Sequence, residues 1–242
     1  MQSLPVIKPT YIGQKGLWIA LAVLVAWFGC LTFLLHYPLD FRNPLVYVFV
    51  LIQMHLYTGV FITAHDSIHG VVAPHNKRLN YWIGFLSASL FAFNNYKQLS
   101  SKHHLHHRHA ATPDDPDYHD GHPNFFLWFI AFAREYVSVA QVLLMAVTYN
   151  ILKLWFPWEN LVTFWMIPAV LSTFQLFYFG TYLPHRGEHH NPPLNARSQS
   201  LNHIKAFLSC YFFGYHLEHH AYPYLPWWQL PKARERMADA DK

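Results

Sequence analysis

Long apolar runs separated by short polar links organise this chain. Residues 16–35 are almost wholly apolar, long enough to cross a hydrocarbon core of about 30 Å as a helix. A polar link over 36–43, holding Asp40 and Arg42, leads into a second apolar run over 44–64. The pair predicts a helical hairpin. The third run, 81–93, is too short for a full crossing and predicts a re-entrant or interfacial segment. Residues 125–156 are apolar but carry Arg134 and Glu135, which predicts an interfacial first part and a crossing that begins near Tyr136. Pro157, Trp158, Glu159 and Asn160 then predict a tight turn before a last crossing over 161–182.

Four crossings place the N-terminus, residues 66–124 and everything after Leu183 on one side. Lys77, Arg78, Lys97, Lys102, Arg108, Arg186, Arg197, Lys205, Lys232, Arg234 and Arg236 fall there, against Arg42 in the opposing links, so the positive-inside rule makes that side cytoplasmic. The segment before the first run holds Lys8 and Lys15 without a signal-cleavage pattern, and the run is expected to stay as a membrane anchor. No repeat, low-complexity tract or flexible linker divides residues 1–242. The expected fold is a single all-α integral membrane domain. It has four transmembrane helices, a short re-entrant or interfacial helical segment and a cytoplasmic histidine-rich cap.

Composition sharpens this picture. Charged residues make up only 12% of the chain and hydrophobic ones 53%, where soluble domains carry about 25% charged residues. The net charge of +4 comes from basic residues scattered among apolar segments, which speaks for lipid headgroups and against nucleic acid. Cys30 and Cys210 sit in separate apolar stretches and imply neither a disulfide framework nor a thiolate metal site. Histidine stands out: nineteen, against thirteen acidic residues. Of these, His36 falls on the far side and His55 well inside a span.

The histidines cluster. His65 and His69 in HDSIHG are spaced i, i+4 and share a helix face if the second span continues through them. Alone the pair also fits a wet helix end. His103, His106 and His107 in KHHLHHRH, at i, i+3 and i+4, make one nitrogen-rich patch, and neighbouring Lys102 and Arg108 allow a lipid-binding basic helix instead. His216, His219 and His220 in YHLEHH repeat that spacing more than a hundred residues later, which accident does not easily produce. His185, in TYLPHR just past the last span, is within reach of the same region. His189 and His190 are weaker candidates for second-layer donors.

These nine imidazoles exceed what one ion takes from a protein and imply two metals. Structural zinc sites are thiolate-rich and zinc hydrolases of the HExxH type need a motif absent here. Neutral imidazoles with open coordination positions suit iron that reduces dioxygen. Asp66, Asp114, Asp115, Asp117 and Glu218 are the nearby carboxylates able to orient the rings, although DDPD also reads as a loop or cap. No GxGxxG, P-loop, GxSxG or CxxC occurs, so electrons must come from outside. Trp155, Trp158, Trp227 and Trp228 are expected mainly as headgroup-level anchors.

With HDSIHG, HHLHH and HLEHH the chain resembles the membrane fatty-acid desaturase and hydroxylase superfamily. AHDSIHG, DDPDYH, FGTYLPHR and FGYHLEHHAYPYLPWWQLP make it similar, more narrowly, to bacterial-type β-carotene ketolases. The resemblance covers nearly the whole chain. It implies that His65, His69, His103, His106, His107, His185, His216, His219 and His220 hold a di-iron centre at the cytoplasmic membrane. It also implies oxidation of C4 of a β-ionone ring to a ketone, with dioxygen as co-substrate and a ferredoxin-type donor: β-carotene to echinenone and canthaxanthin, zeaxanthin toward astaxanthin. Where desaturases of the superfamily carry an Asn at the metal site, four residues before the histidine ending the last span, this chain has Thr181, which leaves a tenth side-chain ligand open. Spacing alone admits a carotenoid 3-hydroxylase or a fatty-acyl desaturase with the same centre. A non-enzymatic metal carrier would need polar residues within the spans, and only Gln53, His55 and Gln175 qualify.

Overall fold

The computed structural model describes residues 5–7, 13–119, 124–189 and 191–240. Among these the chain is helical throughout, without a strand. Helix α1 (Lys15–Leu35) and helix α2 (Leu45–Ile68) form the expected hairpin. Helices α3 (Lys77–Leu90) and α4 (Tyr96–His109) follow at its end. Both are started by asparagine: Asn76 accepts from the Leu79 amide, and Asn95 from those of Lys97 and Gln98, caps worth about 1 kcal/mol each. The third apolar run therefore lies in a helix that begins earlier than its apolar residues suggest, because the cap rather than the apolar pattern sets its start. At 1.5 Å per residue α3 is roughly 21 Å long, short of a crossing.

Helices α5 (Phe125–Tyr136) and α6 (Val139–Leu152) meet at a bend of 84°. Ser138 starts α6 with a reciprocal cap: its hydroxyl accepts from the Gln141 amide while the Gln141 side chain accepts from the Ser138 amide. This break is the change of direction expected near Tyr136. Neither half is long enough to cross alone, and together they make a broken span or a re-entrant loop. With α1, α2 and helix α7 (Trp158–His185), three helices cross by length and composition, or four if the bent pair counts as one.

The tight turn expected over Pro157, Trp158, Glu159 and Asn160 is not one. The chain turns over 153–157, and Trp158 already opens α7 behind Pro157. Proline suits a helix start, where its missing N–H has no partner to lose. Asn160 is buried instead, its Nδ2 donating to the carbonyls of Leu34 at 2.9 Å and Tyr37 at 2.8 Å, so α7 closes the end of α1. Two π-helical segments, Val162–Met166 and Tyr178–Tyr182, interrupt α7. Each ends two residues before a proline, Pro168 or Pro184, and the amides between them reach back five residues, Ile167 to Val162 and Leu183 to Tyr178. A proline ring clashes with the carbonyl four residues earlier, and the wider turn accommodates it.

Helices α8 (His203–Cys210), α9 (His216–Ala221) and α10 (Leu230–Ala240) complete the fold. The core joins α1, α2 and α7 through Trp27, Leu31, Tyr57, Val60, Leu161 and Trp165, and takes in Tyr211 and Phe213 from the segment between α8 and α9. Two glycines permit that docking. A Cβ on Gly59 would stand 2.6 Å from the Tyr211 hydroxyl, and one on Gly180 would stand 2.7 Å from the Phe213 ring. Side chains at these positions would push the tail off α2 and α7.

Candidate metal centre

Four helices bring imidazoles to one place. His65 and His69 project from the end of α2, His103, His106 and His107 from one face of α4, His185 from the end of α7, and His216, His219 and His220 from α9. They sort into two groups. His65, His69, His103, His107 and His219 form one, and His106, His185, His216 and His220 the other, with donor atoms in each group within 4.8 Å of one another. Within the first, Nε2 atoms lie 3.1 Å apart for His65 and His219, 2.7 Å for His69 and His103, 3.0 Å for His103 and His107, and 2.9 Å for His107 and His219. Within the second, His220 lies 3.0 Å from both His106 and His216. His104 and His109, in the same box, stay outside both groups, and exposed His104 turns its Nδ1 to the Ser100 carbonyl. His36 also lies apart, bonded to the Thr32 carbonyl. His189 Nε2 reaches the His185 carbonyl at 2.8 Å, and His190 lies outside the described residues.

The donor set fits metal ions. Three rings have Nδ1 held by an acceptor: His65 by Asp66 at 3.3 Å, His106 by Asp115 at 3.0 Å and His185 by the Asn195 carbonyl at 2.8 Å. Each then carries its proton on Nδ1 and turns a bare Nε2 lone pair inward, the arrangement a metal-binding histidine needs. Buried His185 Nε2 has no hydrogen-bond partner at all. Imidazole–metal bonds of about 2.0–2.1 Å at right angles put nitrogens about 3 Å apart, the separation seen in both groups. Each group can therefore hold one ion.

Burial keeps the rings neutral. Desolvation, then neighbouring imidazoles, hold His103, His216, His219 and His220 well below the ordinary histidine range, and His107 goes down to about 2 for the same reasons. His106 is the exception. Burial lowers it too, but the carboxylates of Asp115 and Asp117 outweigh that and leave it raised. Asp117 itself is pushed up to about 6 by burial, against the pull of His106, and accepts from the Tyr136 hydroxyl.

The orienting carboxylates divide unevenly. Asp66, Asp115 and Asp117 face histidines, whereas Asp114 is exposed. Glu218 turns away from every ring, accepting from Ser198 and, at 3.2 Å, from Arg234. Its place in HLEHH puts it on the opposite side of the helix from the ligating positions, so it anchors α9 to α10 rather than orienting a ligand. Trp227 also departs from its expected role. Its ring stacks in the core on Phe207 and Phe212, and its amide donates to Asp66 at 3.1 Å. Trp155 and Trp158 are exposed as anchors would be. Asn195, Ser198, Arg234 and Tyr136 support the centre without a sequence signal, since each acts on a partner 10 to 20 residues away along the chain.

A cavity of 390 Å³ adjoins the rings, lined by His65, His103, His106, His216, Asp117 and Thr181 together with Phe61, Phe91, Phe129, Phe132, Phe174 and Phe213. An apolar chamber thus ends on both imidazole groups.

An all-helical chain of membrane-spanning length with clustered histidines at the helix ends defines a class, and the fatty acid desaturase family matches residues 42–153 and 124–242. The chain belongs to that family. Among its relatives it is 39% identical over 236 residues to a β-carotene ketolase of Paracoccus sp. strain PC1, covering 94% of this chain and 96% of that one. It is 45% identical over 186 residues to a zeaxanthin 4-ketolase of Chlamydomonas reinhardtii and 40% identical over 196 to a β-carotene 4-ketolase of Haematococcus lacustris. These matches cover 74% and 77% of this chain but 42% and 61% of the algal proteins, so the chain spans about half the length of these relatives.

Proposed function

We propose that this chain is an oxygen-dependent, di-iron β-carotene 4-ketolase that converts the C4 methylene of β-ionone rings to a ketone. The observation that carries this reading is the convergence of nine imidazoles, in groups of five and four, on the end of an aromatic cavity. Similarity to a β-carotene ketolase along nearly the full length supports the ring as substrate. In this reading the nine histidines are the ligands of two irons, and residues 1–242 form one domain. The α5–α6 pair is read as a fourth, broken crossing and the histidine cap as lying on the cytoplasmic side of the inner membrane, a reading that the excess of Lys and Arg around it supports.

When bound, a di-iron centre supplies the reductive activation of dioxygen that attack on an unactivated C–H bond requires. The protein does the rest. Phe61, Phe91, Phe129, Phe132 and Phe174 offer a dry wall to a polyene end arriving from the bilayer. Phe213, whose ring is 4.7 Å from that of His65 and 5.4 Å from that of His216, packs beside the ligands and excludes water. Asp66, Asp115 and the Asn195 carbonyl hold three rings in the ligating tautomer. Each hydroxylation consumes one dioxygen, two electrons from a ferredoxin-type donor and two protons, places one oxygen on C4 and releases the other as water. A second round gives a geminal diol, which loses water to leave the ketone.

The test is expression in bacteria that accumulate β-carotene, with analysis of pigment mass. The expected product gains one oxygen and loses two hydrogens per ring. A product that gains oxygen without losing hydrogen marks a 3-hydroxylase, and unchanged pigment from iron-loaded protein with a donor overturns the proposal.

A further inference from the structure

Among the described residues, one hydroxyl in the wall of the cavity that touches the imidazoles has no partner in the protein. Of the lining hydroxyls and amides, Tyr136 donates to Asp117, Thr173 donates to the Ala169 carbonyl at 2.9 Å, and Gln141 and Asn94 bond to each other at 3.0 Å. Thr181 lines the same cavity, is 5% exposed, and its hydroxyl makes no hydrogen bond among the described residues. A helical threonine ordinarily returns its hydroxyl to the carbonyl three or four residues back. Thr181 lies in the π-helical segment Tyr178–Tyr182, whose wider turn alters that local geometry. Segments of this kind recur at functional sites.

Its neighbours favour a ligand role over a packing one. Gly180 beside it leaves room for the Phe213 ring, which packs against His65 and His216, and four residues further on stands His185 with its unpartnered Nε2. An uncommitted hydroxyl in a largely apolar chamber is costly to leave without a partner, and it shares that chamber with His65, His103, His106 and His216.

Resting on the ketolase reading above, we propose that Thr181 is a specificity-determining residue whose hydroxyl hydrogen-bonds a hydroxyl on the ring carbon adjacent to the oxidised methylene. The site would then favour β-ionone rings that already carry a 3-hydroxyl. C3 is bonded directly to C4, so a ring presenting C4 to the imidazoles brings its 3-hydroxyl to the same end of the cavity. The other hydroxyls and amides of the lining are already bonded.

The experiment measures kcat/KM of the iron-loaded protein for β-carotene and for zeaxanthin in the same vesicles. Wild type is compared with Thr181→Val, Thr181→Ala and Thr181→Ser. The zeaxanthin-to-β-carotene ratio should fall about three- to tenfold in the valine and alanine variants, the loss expected for one neutral hydrogen bond, and the serine variant should restore it. If the valine variant does not fold, the smaller alanine variant gives the same reading. A ratio unchanged in a hydroxyl-free variant, with ketone still formed, overturns the role of Thr181 and leaves the ketolase reading intact. Failure of wild type to ketolate either pigment overturns the ketolase reading and this inference with it.

Discussion

At the scale of single residues, position within a box matters more than membership of it. His103, His106 and His107 face inward from α4 while His104, from the same run, faces out. His104→Ala should therefore keep wild-type iron content and turnover, whereas His106→Ala and His219→Ala, one from each group, should abolish turnover. Elemental analysis and the pigment assay check both, and comparable behaviour in all three variants would contradict the assignment. Asp115 is buried and holds His106 Nδ1 at 3.0 Å. Losing such an orienting partner lowers metal affinity or activity about 10–100-fold, so Asp115→Asn should show a drop of that size in iron affinity by competitive chelation. The i, i+3, i+4 spacing made these ligating faces legible. The exclusion of Glu218 was not, because its turn toward Ser198 and Arg234 depends on where α10 packs.

At the scale of elements, the helices owe their boundaries to caps and prolines more than to apolar content. Asn76, Asn95 and Ser138 start α3, α4 and α6, and Pro168 and Pro184 set the π-helical segments of α7. Apolar runs mark where a helix can lie in lipid, but they say little about its ends. Asn160 shows the consequence. It reads as part of a turn, yet its buried amide bonds the carbonyls of Leu34 and Tyr37. Asn160→Ala removes both bonds, leaving the Leu34 carbonyl only its bond from the Tyr37 amide, and should cost about 1–3 kcal/mol, seen as a lower midpoint of thermal unfolding in detergent. An unchanged midpoint would mean that the α1–α7 junction does not depend on this residue.

At the scale of the whole molecule, the buried histidines couple stability to metal and pH. His103, His216, His219 and His220 have folded-state pKa values well below the ordinary 6.5. Above pH 6.5 both folded and unfolded forms of these groups are neutral and contribute nothing. As pH falls below 6.5 the unfolded chain takes up protons that the folded chain refuses, so stability is lost. His106, raised by Asp115 and Asp117, and Asp117, itself pushed up to about 6, work in the opposite direction but are two groups against four. Metal-stripped protein should therefore unfold at progressively lower temperature as pH is taken from 7 to 5. Iron-loaded protein should be the more stable at pH 7, because binding to the folded state alone adds to folding free energy. A stripped protein whose midpoint does not fall over this interval would contradict the buried, neutral state of these rings.

What the sequence determined by itself was local. Apolar runs of membrane-spanning length, boxes whose spacing places imidazoles on one helix face, and the departure at Thr181 can all be read along the chain, because helix geometry converts spacing into facing without help from the rest of the fold. What only the tertiary structure decided was relational. His219 joins His65 and His107 across 154 and 112 residues, and His220 joins His106 across 114. The division into five and four, the carboxylates that orient them, and the single unbonded hydroxyl in the cavity wall depend on how α2, α4, α7 and α9 pack. Packing is set by side chains far apart in sequence, such as Gly59 against Tyr211 and Gly180 against Phe213, and no local spacing encodes it.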